Sequence, residues 1–295
     1  MRSTLKAARR AAALFSALAA SAISASETQA RLPKEARVVS IGGSVTEIVY
    51  ALGAQERLIA RDSTSVYPHN ALSLPDVGYM RQLSPEGVLS VNPGAIIALQ
   101  GSGPPEAVDV LKKASVPIVI VPERFDREGI LEKIRIVGHA LDAETKAGEL
   151  AKAVEADLKS AEADANANPD RKRVLFILSL QGGKVLASGT GTAAAGIIAM
   201  AGAENAVTGF SGYKQLSDEA IVMAKPDVIL MMDRGGSDAA EKPDPFVHPA
   251  IASTPAGRSK QLVRMDGAYL LGFGPRTAGA IRDLSSALHG NGTPN

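Results

Sequence analysis

The sequence contains no cysteine and no tryptophan, and it contains only four histidines. Without cysteine the chain can form no disulfide, no thiolate metal site, no lipidated N-terminal cysteine and no cysteine nucleophile. The histidines are dispersed and form no HExxH motif, and no GxSxG motif is present; they are His69, His139, His248 and His289. These absences argue against hydrolase or zinc chemistry and favour a protein that is not an enzyme.

The charge balance gives no sign of a nucleic-acid-binding surface. The chain has 32 basic and 31 acidic residues, and basic residues outnumber acidic ones in the first 30 positions. Removing that segment leaves a slight acidic excess, which is not the electrostatic pattern of a protein that binds nucleic acid. With 45% hydrophobic and 21% charged residues, the chain is ordinary globular material, long enough for one large domain or two lobes.

The N-terminus has the order of a secretory signal peptide. Residues 11–23 are apolar, small residues follow up to Ala30, and four basic residues come first: Arg2, Lys6, Arg9 and Arg10. The apolar stretch is too short to span a bilayer as a mature helix, and it is apolar on every face rather than amphipathic. We therefore expect residues 1–30 to be a signal peptide cleaved after Ala30, with Ala25 as the alternative, and a secreted protein without a lipid anchor.

A strand, a glycine turn and a helix open the mature chain. Residues 37–41 form a β-branched run that breaks at Gly42, and apolar residues at helical spacing then lead to Gly53, where the helix ends. Ser44 is predicted to cap this helix, with Glu47 completing a capping box. A phosphate-binding loop is the alternative, but the turn lacks the Lys-Ser/Thr of a P-loop.

The next elements predict a parallel sheet followed by one long helix. The continuous apolar runs at residues 94–99 and 116–121 suit strands that are covered on both faces. Residues 142–165 then repeat apolar positions every three or four residues among charged ones, which predicts an amphipathic helix. A helix of this length spans about 36 Å, enough to cross from one lobe to another.

The pattern then recurs in the second half. Strands are predicted at residues 174–178 and 228–232, with a helix at 192–201. Residues 83–99, LSPEGVLSVNPGAIIAL, align without gaps to 216–232, LSDEAIVMAKPDVILMM, and residues 48–56 resemble 197–205. Chance similarity between two helix–proline–strand units is the alternative to a true repeat.

This self-similarity predicts an α/β fold with two Rossmann-like lobes and a ligand cleft between them. We expect an N-terminal lobe over residues 31–141, a linking helix over 142–168 and a C-terminal lobe over 169–295. Loops at the carboxyl ends of the strands should line the cleft. These loops are residues 62–83, 100–105, 123–127, 179–192, 233–249 and 265–276, and they include Tyr67 and Arg234.

Four motifs resemble the haem-binding periplasmic proteins of bacterial haem ABC importers, within the wider group of siderophore and cobalamin-binding proteins. They are GGSVTEIVYALG at residues 42–53, the Tyr67-Pro68 pair, LPDVGYMR at 74–81 and LSPEGVLS at 83–90. The resemblance implies a binding protein that carries ferric haem b to an inner-membrane ABC permease, with an outer-membrane receptor as a possible haem donor. Another iron chelate (a siderophore) or cobalamin is the alternative ligand.

The same resemblance implies that Tyr67 is the axial ligand of the haem iron and that Arg234, on the opposite lobe, favours its phenolate. Tyrosine is an established haem ligand. A phenol ordinarily has a pKa of about 10, and a neighbouring guanidinium favours its anionic form. His69 is the competing ligand, because imidazole also binds haem iron.

Two further expectations concern the C-terminal lobe. Some relatives hold a second haem through a histidine of this lobe, but residues 179–195 contain none, so we expect one haem. The glycine-rich run at residues 188–192 could donate backbone N–H groups to a haem propionate, or it could be an ordinary turn and helix cap.

Glu86 and Glu219 occupy equivalent positions in the internal repeat. In the wider family such a glutamate on each lobe docks with arginines of the permease, so the resemblance implies that this pair is the transporter contact. The alternative is a simpler role, in which each carboxylate interacts favourably with the dipole of the helix that it begins.

Overall fold

Two β-sheets organise the chain in the computed structural model, which describes residues 31–233 and 243–290. The first sheet has four parallel strands in the order β2-β1-β3-β4. Its strands are β1 Val38–Ile41, β2 Leu58–Arg61, β3 Ala95–Leu99 and β4 Ile118–Val121. The helices of this N-terminal lobe are α1 Gly43–Ala51, α2 Pro85–Ser90, α3 Pro105–Lys113 and α4 Arg127–Ala140. Strands β1 and β3 are buried along their whole length, which explains their continuous apolar sequence.

The capping box predicted at the start of α1 is wrong. Gly42 occupies the N-cap position with a φ of 109°, a conformation that glycine adopts without steric cost, and Ser44 lies inside the helix. The buried hydroxyl of Ser44 makes no hydrogen bond within the described residues. The carboxylate of Glu47 bonds to the opposite lobe instead of turning back to the helix start.

The long helix α5, Glu144–Asn166, leads to the second sheet. The path of this sheet is β10-β9-β5-β6-β8, with β7 pairing with β5, and it mixes parallel and antiparallel pairs. Its strands are β5 Arg173–Gln181, β6 Lys184–Ser188, β7 Glu204–Asn205, β8 Tyr213–Leu216, β9 Val228–Asp233 and β10 Leu262–Asp266. The helices of this C-terminal lobe are α6 Ala193–Met200, α7 Asp218–Ala224, α8 Pro249–Ala252, α9 Pro255–Ser259, α10 Gly267–Leu271 and α11 Thr277–Leu288.

A hairpin replaces part of the loop predicted at residues 179–192. Strands β5 and β6 pair antiparallel around Gly182 and Gly183, whose φ values are 56° and 72°. Two successive positive φ values match the tight turns that suit the twist of a hairpin, and Gly-Gly supplies them without steric cost. The sequence interpretation treated these glycines as loop residues and so missed β6.

Helix α5 joins the lobes by packing against α4 on one side and α11 on the other. Its contact with α4 is close, because a Cβ atom on Gly138 would lie 2.2 Å from the Cβ of Ala147. The predicted α/β architecture with central sheets and one long connecting helix is thus confirmed. The residue bounds assigned to the two lobes stay a prediction.

The internal repeat corresponds to matching helix and strand units. Ser84 accepts a hydrogen bond from the Gly87 amide at the start of α2, and Ser217 does the same for the Ala220 amide at the start of α7. Each helix then leads into a strand inside its sheet, β3 or β9. Among the helices of residues 31–233 and 243–290, none has the length and apolarity needed to cross a membrane.

Candidate ligand-binding cleft

The loop that carries Tyr67 begins at a buried, fully hydrogen-bonded carboxylate. Asp62 follows β2 directly and is 0% exposed. Its two oxygens accept hydrogen bonds from the Gly42 amide at 2.9 Å, from the Ser65 hydroxyl at 2.7 Å, and from the amide and hydroxyl of Thr64 at 3.0 and 2.7 Å. A buried carboxylate needs such partners, so this network fixes the loop to the turn between β1 and α1.

A buried arginine holds the middle of the same loop. The guanidinium of Arg61 donates to the carbonyl of Ala71 at 3.1 Å, to the carbonyl of Asp62 at 3.0 Å and to the carboxylate of Asp76 at 3.1 Å. Asp62 and Arg61 together replace the hydrogen bonds that a strand or helix would provide over this stretch. Tyr67 is therefore presented on an ordered loop.

Tyr67 lies at the boundary between the two lobes and is 43% exposed. The guanidinium carbon of Arg276, which immediately precedes α11 in the C-terminal lobe, lies 3.6 Å from the centre of that ring. This is a close cation–π contact. The Tyr67 hydroxyl makes no hydrogen bond to any residue in the part of the chain that the structure describes.

Arg276 is itself held by the N-terminal lobe. Glu47 accepts hydrogen bonds from the Arg276 backbone N–H at 3.0 Å and from its Nε–H at 2.9 Å. Burial raises the pKa of the Glu47 carboxyl above its ordinary value, and the charge and hydrogen bonds of Arg276 offset part of that rise. The pair joins α1 to the start of α11 and sets the direction of the guanidinium.

Sequence reasoning missed Arg276 as a site residue, although it ends one of the loops predicted to line the cleft. The signal was available, since Arg276 belongs to the stretch 265–276 that follows the strand β10, although the structure places helix α10 in the first part of that stretch. Arg234 lies outside the described residues. The cation that the structure shows against Tyr67 is Arg276.

A second tyrosine near Arg276 is chemically different from Tyr67. The ring of Tyr269 lies 5.2 Å from the Arg276 guanidinium carbon, and its hydroxyl donates to Asp283 at 2.9 Å. Burial and then the Asp283 carboxylate raise the pKa of Tyr269 to about 12. Burial likewise raises the pKa of Tyr213. These phenols are poorly suited to become iron ligands near neutral pH.

Other cleft residues have simpler environments. His69 begins a short 3-10 helix and is exposed, so the structure leaves it available as a competing ligand. Arg81 is also exposed, and among the described residues it has no ion pair or hydrogen bond. Its charge lowers the pKa of Tyr213 on the opposite lobe, although burial outweighs this effect.

The glycine-rich run at residues 188–192 joins the end of β6 to the N-cap of α6, and the amides of Gly189 and Thr190 donate to the carbonyls of Gly212 and Phe210. Thr192 accepts a hydrogen bond from the Ala195 amide at 3.0 Å, and its hydroxyl lies 2.6 Å from that of Ser188. These contacts support the simpler of the two sequence interpretations.

Glu86 and Glu219 are exposed in the first turns of α2 and α7. The pKa of each carboxyl is lowered, first by its own backbone N–H and then by the hydroxyl of the capping serine. Both side chains are therefore ionised and open to solvent, with equivalent local geometry on the two lobes.

Comparisons with known proteins agree on one family. The family model for periplasmic binding proteins matches residues 38–269. The solved structure of the periplasmic haem-binding protein BhuT, in complex with two haems, is 38% identical to this chain, with a TM-score of 0.79. The match covers 87% of this chain and 98% of BhuT.

Two curated relatives add to this finding. An uncharacterised ABC transporter substrate-binding lipoprotein of Bacillus subtilis, YvrC, is 27% identical over 90% of this chain and 84% of its own length. A vitamin B12-binding protein of Yersinia pestis is 35% identical, but only over 30% of this chain and 32% of its own length.

Proposed function

Since this chain belongs to the periplasmic binding protein family, we propose that it captures ferric haem in the cleft between its lobes and delivers it to an inner-membrane ABC transporter. We assign Tyr67 as the axial ligand of the haem iron. The cargo would be haem b, received directly or from an outer-membrane receptor, and the protein would act in the periplasm after residues 1–30 are removed. No chemical step on the haem is part of this function.

The contact between Tyr67 and Arg276 is the observation that carries this proposal. A phenolate is a hard anionic donor that suits ferric iron. The exposed Tyr67 ring has a guanidinium 3.6 Å from its centre, and its hydroxyl has no competing partner among the described residues. A positive charge in that place stabilises the anionic form of the ligand in the complex. The similarity to BhuT, at 38% identity over most of both chains, supports haem as the ligand class.

Arg81 supplies a second element of haem recognition in this proposal. Haem carries two carboxylates, and guanidinium groups bind carboxylates well because they present paired N–H donors. Arg81 belongs to the loop that carries Tyr67, is exposed and has no ion pair with any described residue, so its cation is available for a propionate. We retain Arg234 as a further cleft cation on the strength of the sequence resemblance alone.

Docking to the transporter is assigned to Glu86 and Glu219. Their ionised, exposed carboxylates occupy equivalent positions on the two lobes, which fits a permease that offers two similar basic contacts. The repeat at residues 83–99 and 216–232 supplies this symmetry.

A hemin titration of the purified protein tests the haem assignment. We expect a ferric high-spin absorption spectrum with the tyrosinate band, saturating at one haem per chain. The Tyr67→Phe variant should lose that band, whereas Tyr79→Phe and His69→Ala should keep it. Tyr79 is a suitable control because it is also an exposed tyrosine of the same long loop. An unchanged spectrum in Tyr67→Phe would exclude Tyr67 as the ligand, and binding of cobalamin in place of hemin would favour the alternative cargo.

A further inference from the structure

A short segment of the C-terminal lobe, residues 272–276, contacts the N-terminal lobe just before α11. The ring of Phe273 packs edge-on against that of Phe125, with centroids 5.3 Å apart. Phe273 is 1% exposed, and its φ of 48° is unusual for a residue that is not glycine. A bulky residue keeps such a conformation only where its surroundings impose it. These surroundings come from both lobes, since the Phe273 ring lies against Phe125 of the N-terminal lobe and close to Gly196 of α6.

A buried lysine of α4 supplies one of these contacts. Lys133 is 0% exposed, and its Nζ donates to the carboxylate of Glu123 at 3.2 Å and to the carbonyl of Phe273 at 3.4 Å. Fully buried lysines are rare, and they occur when the ammonium is paired. Here the ammonium links the loop after β4 to residues 272–276 of the other lobe.

The energetics of buried ion pairs indicate that this one serves a geometric role. Removing two charges from water costs as much as their attraction returns, and apolar residues of similar volume often give equal or greater stability. Burial accordingly lowers the pKa of the Lys133 amine, and Glu123 offsets part of that change. What the pair contributes is a fixed geometry instead of stability, because the ammonium must lie between the Glu123 carboxylate and the Phe273 carbonyl.

We propose that Lys133, held by Glu123, is a positioning residue that fixes the Phe273 carbonyl and so sets Arg276 against Tyr67. Only two residues, Gly274 and Pro275, separate Phe273 from Arg276, so a shift at the carbonyl is transmitted to the guanidinium. The space there is restricted, since a Cβ on Gly274 would lie 3.4 Å from the Glu47 carboxylate. The effect that we expect on haem binding rests on the function proposed above. The effect that we expect on the position of residues 272–276 does not.

Hydrogen exchange in the ligand-free protein tests the positioning directly. The Arg276 amide donates a hydrogen bond to Glu47, so its exchange rate reports whether residues 272–276 keep this position against the N-terminal lobe. We expect exchange at this amide to become about tenfold faster or more in Lys133→Met, the size that losing one hydrogen bond to a charged group implies. The Lys133→Met/Glu123→Gln double variant leaves no unpaired buried charge and tests the same point if the single variant folds poorly.

Glu162→Gln is the matched control for exchange. Glu162 forms the ion pair with Arg127 that joins α5 to the start of α4, and among the described residues it makes no hydrogen bond or ion pair with residues 272–276. The Glu162→Gln variant should leave hydrogen exchange at the Arg276 amide unchanged. Unchanged exchange in the folded double variant would overturn the proposal.

Hemin affinity in a thermodynamic cycle tests whether Lys133 acts through Arg276. In the wild-type background, Lys133→Met/Glu123→Gln should weaken hemin binding and shift the tyrosinate band. In an Arg276→Gln background the same double change should have no additional effect, because the residue through which it acts is gone. Additive losses would contradict action through Arg276. If the wild-type protein shows no tyrosinate band, the haem assignment fails, and the exchange measurement still decides the positioning role.

Discussion

Arg276 and Tyr67 come from opposite lobes, and the guanidinium carbon of the first lies 3.6 Å from the ring centre of the second. The same guanidinium is bonded through Nε to Glu47 at 2.9 Å. The candidate ligand is therefore placed where the two lobes meet, and the contact depends on their relative position.

Arg276→Gln should weaken hemin binding without abolishing it. A cation over an aromatic ring is worth about 1–2 kcal/mol when the contact is desolvated, as it would be beneath a bound ligand, so we expect hemin affinity to fall about tenfold. The measurement is a hemin titration that monitors the tyrosinate band. Arg258→Gln, on α9 of the same lobe, removes a guanidinium that bonds to Ser253 and should leave the affinity unchanged. Equal affinities for the Arg276 variant and the wild type would contradict this role.

Glu47→Gln should destabilise the protein by about 1–3 kcal/mol, the cost of leaving a partly buried donor of Arg276 without its acceptor, which outweighs the relief of desolvation that the raised pKa of Glu47 reflects. The change removes a charge that is only 10% exposed and bonded twice to Arg276, which is itself 29% exposed. Urea unfolding measures the difference. Glu155→Gln disrupts an exposed pair with Lys159 within α5, and it should change the unfolding free energy by no more than about 0.5 kcal/mol.

Arg81→Gln should weaken binding only for ligands with free carboxylates. Hemin should bind less tightly to the variant than to the wild-type protein, because the propionate loses a guanidinium partner. Hemin dimethyl ester, which has no free carboxylate, should bind to both proteins equally. A similar loss for both ligands would show that Arg81 acts on the shape of the loop instead of on a carboxylate.

The Glu86→Gln/Glu219→Gln double variant should bind hemin normally and fail to support transport. Both carboxylates are exposed at helix starts, and neither contacts Tyr67 or Arg276. Uptake by vesicles or cells that contain the cognate permease measures the effect. Glu144→Gln, at the first turn of α5, is the control for a general loss of surface charge. Normal transport by the double variant would remove the docking assignment.

Stability should depend on pH through Lys133. Burial lowers the pKa of its amine below the ordinary 10.5, so between the lowered value and 10.5 the unfolded chain binds more protons than the folded chain. Stability then rises with pH across that window. The unfolding free energy of the wild type should therefore rise relative to that of Lys133→Met as the pH approaches 10.5. Lys159→Met, which removes an exposed lysine, should show no such trend.

The sequence by itself determined the fold class. Apolar runs predicted β1, β3, β4, β5 and β9 to within a few residues, and the three- and four-residue spacing at 142–165 predicted α5. These predictions hold because a strand covered on both faces and an amphipathic helix leave a periodic apolar pattern within one stretch of chain. The internal repeat also identified Glu86 and Glu219 as equivalent positions, and the structure places both in the first turn of a helix that a serine caps.

Only the tertiary structure decided which residues of the two lobes meet. Nothing local to Ser44 and Glu47 distinguishes a capping box from a glutamate that reaches across to Arg276, a residue 229 positions away. The partnership of Lys133 with Phe273 across the lobes is equally invisible in the sequence pattern. Such contacts depend on how α5 orients one sheet against the other. Tyr67 was selected by resemblance, and the structure added the cation that lies against it.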